Sequence, residues 1–130
     1  MTEETKALKW TVVVGTNPGY DSSVRNIMDE TEFLTHVQDI ADKVHENTGL
    51  YISAVFFPAS VIYKKEWGCP SDGEPVYILT GCVKVNSENL ETCRSSLFLF
   101  TEELRKKLRQ CTVTLDITQT DFYRFEEASI

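Results

Sequence analysis

The chain of 130 residues carries 20 Asp and Glu against 13 Lys and Arg, a formal net charge of −7 at pH 7. That balance argues against direct nucleic-acid binding, which draws most of its affinity from Lys and Arg on phosphates. The composition, 42% hydrophobic and 25% charged, is that of one globular domain able to bury a core without disulfides or a structural metal.

No apolar run approaches the roughly 20 residues of a membrane helix. The acidic start MTEETKALKW lacks the basic and apolar regions of a secretory signal, so a cytoplasmic protein is expected. Residues 1–6 are expected to form a flexible tail, 7–125 a single domain and 126–130 a second tail.

Leu8, Trp10, Val12 and Val14 alternate with Lys9, Thr11, Val13 and Gly15, which predicts a first strand over 7–15. Asn17, Pro18 and Gly19 then mark a reversal within a loop over 16–26. That loop has neither the GxxxxGK[ST] nor the GxGxxG spacing of a phosphate cradle. A helix is expected over 29–48. Asp29 and Glu32 are spaced as a capping box, Gly49 stands where a left-handed stop belongs, and Phe33, Leu34, Val37, Ile40, Ala41 and Val44 share one side. His36 and His45 fall at the two borders of that apolar face and cannot converge on one metal.

Residues 51–63 predict a second strand. Pro58 places it at a sheet edge, and the competition of Ile52, Ala54 and Phe56 with Val55 and Phe57 for the core suggests a bulge near the proline. A third strand is expected over 75–85, where Gly81 suggests either a bulge or a close backbone neighbour. The stripe Leu90, Cys93, Leu97, Phe100, Leu104 and Leu108 predicts a second helix over 87–110, with Phe98 on its flank and Leu99 pointing away. Val113, Leu115 and Ile117 alternate with threonines and Asp116 in a fourth strand over 111–125.

This order is β-α-β-β-α-β, and an α+β, ferredoxin-like fold is expected. Its four-stranded antiparallel sheet would run in the order 4-1-3-2 with two helices on one face. The other face would carry an apolar strip on Val13, Val76 and Ile78. With Phe98 and Leu99 these residues form a candidate interface for a protein partner or for self-association.

Cys69, Cys82, Cys93 and Cys111 are far apart, with no CxxC pair and no His at a metal spacing. Free thiols are therefore expected, and neither a metal nor a cofactor is implied. Cys82, Cys93 and Cys111 should pack as small hydrophobes, leaving Cys69 as the accessible thiol.

The loop KKEWGCPSDGE over residues 64–74 is the densest collection of chemically useful groups, and Tyr63, Trp67, Cys69 and Glu74 form a candidate site there. Lys64 and Lys65 would lower the pKa of Cys69 were the loop to fold back, but no base or oxyanion group is recognisable beside it. A second candidate surface is the acidic stripe Glu32, Asp39, Asp42 and Glu46, which would suit a mimic of nucleic acid.

Enzyme readings on this fold lack their marks: Thr2 stands where a tautomerase wants proline, Arg25 lacks the glycine spacing of an acylphosphatase loop, and His36 lacks the basic surface of an endoribonuclease. No catalytic residue is assigned. The favoured expectation is a cytoplasmic protein-binding module without catalytic activity that dimerises through its sheet face. The alternative is a small-molecule binder or enzyme with its site at the 64–74 loop; a second alternative is an acidic inhibitor mimicking nucleic acid.

Overall fold

The computed structural model describes residues 2–16, 28–110 and 112–127. The reversal expected at Asn17, Pro18 and Gly19, together with Arg25, Cys111 and residues 128–130, lies outside them.

The elements follow as β1 (Thr2–Gly15), α1 (Glu30–Thr48), β2 (Val55–Val61), a short 3-10 turn (Lys65–Trp67), β3 (Glu74–Lys84), α2 (Leu90–Lys107) and β4 (Val113–Phe125). They form one antiparallel sheet in the order β2-β3-β1-β4. This is the expected α+β arrangement, read from the opposite edge. β1 is longer than expected: it pairs with β4 from Thr2 opposite Phe125 onward, so residues 2–6 belong to the sheet and are not a loose tail.

Alternation along β1 turns Leu8, Trp10, Val12 and Val14 inward, each fully buried, onto Phe33, Val37, Ile40 and Val44 of α1 and Cys93, Leu97, Phe100 and Leu104 of α2. Both helices therefore cover the same face of the sheet. Trp10 meets Phe100 edge-on at 5.8 Å, and Phe33 lies 4.6 Å from Tyr77, contacts that add to the area these rings bury. Asp29 caps α1, accepting the Glu32 N–H at 2.8 Å, and Gly49 ends it by donating to the His45 carbonyl at 2.8 Å. α2 starts later than expected because the Asn86 side chain accepts from the N–H groups of Glu88 and Asn89, holding a turn there. It ends at Lys107, and Arg109 adopts a left-handed φ of 56°.

Several local expectations are corrected by the register. β2 pairs with β3 without interruption from Val55 opposite Thr80 to Val61 opposite Glu74, so there is no bulge at Pro58; the edge position alone accommodates the proline. Phe56 faces the core against Phe33 and Tyr77, while Val55 and Phe57 lie on the open face. No bulge occurs at Gly81 either: a Cβ there would sit 2.6 Å from the Ser53 carbonyl and 3.1 Å from the Trp10 indole, so the close backbone neighbour is the reason for glycine.

On α2 the two flanking residues exchange roles, since Leu99 packs against the core and Phe98 is 59% exposed. Cys82 is exposed on the open face, not packed, whereas Cys93 is buried. Among the described residues no helix is long and apolar enough to cross a membrane.

Candidate functional site

The connection between β2 and β3 is built by its own short-range bonds. Past Val61 the ladder ends, and the Tyr63 backbone N–H, left without a strand partner, donates to the Cys69 sulfur at 3.4 Å. That thiol donates in turn to the Pro70 carbonyl at 3.4 Å. Inside the connection, Trp67 and Gly68 donate to the carbonyls of Lys64 and Lys65 at 2.9 and 3.0 Å, and Gly73 donates to Pro70 at 3.0 Å. Gly73 needs its glycine twice over: its φ of 82° disfavours any side chain, and a Cβ would press within 3.0 Å of Ser60. The residue after it is Glu74, which opens β3, so the turn geometry fixes where that carboxylate begins.

The result is a small polar cluster. The half-buried Tyr63 phenol can donate to two acceptors, the Gly68 carbonyl at 3.5 Å and the Glu74 carboxylate. Partial burial, followed by the charge and hydrogen bond of Glu74 and then by Cys69, raises its pKa above the ordinary 10.0. The phenol is therefore a neutral hydrogen-bond donor throughout the physiological range.

Of the four residues named from the sequence, Tyr63, Cys69 and Glu74 are brought together, whereas Trp67 is 74% exposed with Lys64 placed 5.7 Å from its ring centre. Lys64 pairs with Glu66 at 3.2 Å. The carbonyl of Gly68 is a member of the cluster that side-chain reasoning does not reveal.

The other candidates are scattered. Val13 and Ile78 are half-buried and Val76 is buried on the open face, with Phe57 and Val61 beside them, and that face ends at Glu74. Phe98 and Leu99 belong to α2 on the far side of the sheet, so the five residues do not make one surface. Glu32, Asp39, Asp42 and Glu46 are all exposed along α1, with His36 3.8 Å from Glu32.

A groove of about 490 Å³ lies between α1 and residues 51–56, floored by Leu34, Val37, Ile52, Phe56 and Leu79. It carries no charged side chain and opens at the end of β2 away from Tyr63. Among the described residues no group of three His, Cys, Asp or Glu is placed to hold a metal.

Residues 5–126 match a protein-family model described as SAM lyase. Two solved structures resemble the fold: a phage SAM lyase in complex with S-methyl-5'-thioadenosine, 14% identical with a TM-score of 0.60, and a phage SAM lyase in the apo state, 15% identical with a TM-score of 0.55. The first covers 95% of this chain and 93% of its own, the second 95% and 92%. No curated protein matches the chain. The family match overturns the expectation of a non-catalytic protein-binding module dimerising through its sheet face, and favours the alternative of an enzyme acting on a small molecule.

Proposed function

The chain belongs to the SAM lyase family, and from that membership we propose that it cleaves S-adenosylmethionine to S-methyl-5'-thioadenosine at the cluster formed by Tyr63 and Glu74. The single observation that carries the placement is the Tyr63 phenol, 3.5 Å from the Gly68 carbonyl and beside the Glu74 carboxylate, inside a loop held by its own hydrogen bonds. The apolar groove beside α1 is the poorer site, because the substrate carries a sulfonium, an ammonium and a carboxylate, and that groove has no charged group to meet them.

The chemistry asks little of the protein beyond placement. Releasing the thioether breaks the bond between sulfur and the γ-carbon of the methionine portion, and the bonding pair returns to sulfur, which becomes neutral. The substrate's own carboxylate oxygen supplies the new bond to that carbon, closing a five-membered lactone whose ammonium keeps the remaining positive charge. No water, proton or cofactor enters. Holding the amino-acid chain folded for this attack converts a rare encounter into a prepared one, a contribution worth effective molarities on the order of 10⁵ M or more.

Charge decides the role of Glu74. The sulfonium loses its charge in the transition state, so a carboxylate against it would stabilise the substrate more than the transition state and slow the reaction. The ammonium stays positive throughout. Glu74 therefore binds the ammonium and sets the rotation that brings the carboxylate to the γ-carbon, with Tyr63 fixing the orientation of Glu74. Trp67, exposed on the same loop, offers a flat face to the adenine, and the apolar open face beside Glu74 offers cover to the rest of the nucleoside.

The β-α-β-β-α-β order with sheet order β2-β3-β1-β4 supports a ferredoxin-like reading, and one continuous core supports a single domain. We place the protein in the cytoplasm.

The test is incubation of purified protein with S-adenosylmethionine, followed by chromatography and mass spectrometry. S-methyl-5'-thioadenosine and the lactone should form in equal amounts, and the early lactone should carry no label from heavy-oxygen water. Release of thioether no faster than in buffer sinks the assignment; label in the four-carbon product at first appearance sinks the intramolecular step.

A further inference from the structure

We propose that Cys69 is a positioning residue of this site, its sulfur fixing Tyr63 and through it the Glu74 carboxylate. The inference rests on the reading of Tyr63 and Glu74 given above. Tyr63 lies two residues beyond the last β2–β3 pair, where the sheet no longer sets the backbone. Its N–H is held by the Cys69 sulfur at 3.4 Å, and the thiol hydrogen is directed to the Pro70 carbonyl at 3.4 Å. One side chain thus ties the start of the loop to its middle.

The rest of the frame is backbone. The 3-10 turn brings Gly68 round so that its carbonyl lies 3.5 Å from the phenol, and the Pro70 to Gly73 turn delivers Glu74. Cys69 sits between these turns, so the spacing between phenol and carboxylate depends on the sulfur bridging them. Cysteine suits the gap. A long N–H···S contact fits 3.4 Å, whereas N–H···O bonds prefer about 2.9 Å, so serine must draw the loop in by several tenths of an ångström.

Steady-state cleavage of S-adenosylmethionine by Cys69→Ala, Cys69→Ser and Tyr63→Phe, singly and combined, tests this. Cys69→Ala should lower kcat about fivefold, the loss of one ordinary hydrogen bond, with KM changing less; Cys69→Ser should recover part of it. In the Tyr63→Phe background Cys69→Ala should cost less than about twofold, because the phenol it positions is gone. An equal loss in both backgrounds marks a merely structural thiol and overturns the inference, as does a Cys69→Ala enzyme with wild-type kcat.

Ultraviolet titration of Tyr63, taken as the difference between each protein and its Tyr63→Phe partner, reads the same contact without turnover. Cys69→Ala should bring that ionisation back toward the free value. A Tyr63→Phe enzyme of wild-type rate would remove the catalytic reading by itself. An unchanged Tyr63 titration in Cys69→Ala would instead remove the positioning role.

Discussion

Replacing Glu74 by Gln keeps the size of the side chain at the mouth of β3 and deletes its charge. Glu74 is paired in register with Val61 and half-exposed, so the sheet has no reason to move. What is lost is a charge-assisted hydrogen bond to the substrate ammonium, worth about 1.5–3 kcal/mol. At about 1.4 kcal/mol per decade, that corresponds to a fall in kcat/KM of roughly 10- to 150-fold.

Because the ammonium is charged in both substrate and transition state, most of the loss should appear as a raised KM, with a smaller fall in kcat from poorer orientation. Initial rates of S-methyl-5'-thioadenosine release over a range of substrate concentrations give the two constants separately, and thermal unfolding checks the fold. A Glu74→Gln enzyme with wild-type kcat/KM would refute the placement of the site. A large fall in kcat at constant KM would keep the site but refute the ammonium contact, since it would put Glu74 on the reacting atoms.

The raised pKa of Tyr63, caused first by burial and then by Glu74, keeps the phenol a hydrogen-bond donor through neutral pH, so Tyr63→Phe should be slower than wild type there and the gap should close only above the ordinary phenol value of 10.0, as the wild-type phenol ionises; the ratio of the two pH–rate profiles measures it. Burial also raises Cys93 and Tyr77 above their ordinary values of 9.0 and 10.0. The folded state holds these protons longer than the unfolded chain, so their contribution to stability is complete below about pH 9 and is lost as pH rises through the folded values; urea unfolding at pH 7 and pH 10 should show the drop, and stability constant across that span would contradict it. Gly81→Ala should cost about 1–3 kcal/mol, because the added Cβ meets the Ser53 carbonyl at 2.6 Å and the strand must shift; denaturant midpoints measure it.

The negative expectation about catalysis has a physical origin. A nucleophile with a base beside it, or an oxyanion donor, is what makes an active site legible in a sequence, and no such set stands out near Cys69. In the proposed reaction the substrate brings its own nucleophile and its own leaving group. A site that only places them needs a carboxylate, a phenol and a rigid loop, and none of these has a spacing that announces it. In the sequence Tyr63 and Glu74 stand out only as members of a loop rich in useful groups.

What the chain determined locally could be read locally. The alternation of Leu8 to Val14 and of Val113 to Ile117, the Asp29 cap with Gly49, and the stripe from Phe33 to Val44 each have a period set by backbone geometry, so element order and sheet order followed. Pro58 marked an edge because proline has no N–H to give.

What the tertiary structure decided were matters of facing and distance. Register against β3, not composition, chose Phe56 over Val55 and Phe57 for the core. The seating of α2 on the sheet half-buried Leu99 against the core and exposed Phe98. Only the closed turn brought the Tyr63 phenol to Glu74, because a contact across a loop depends on left-handed glycines and a sulfur bridge that leave no periodic trace in the sequence.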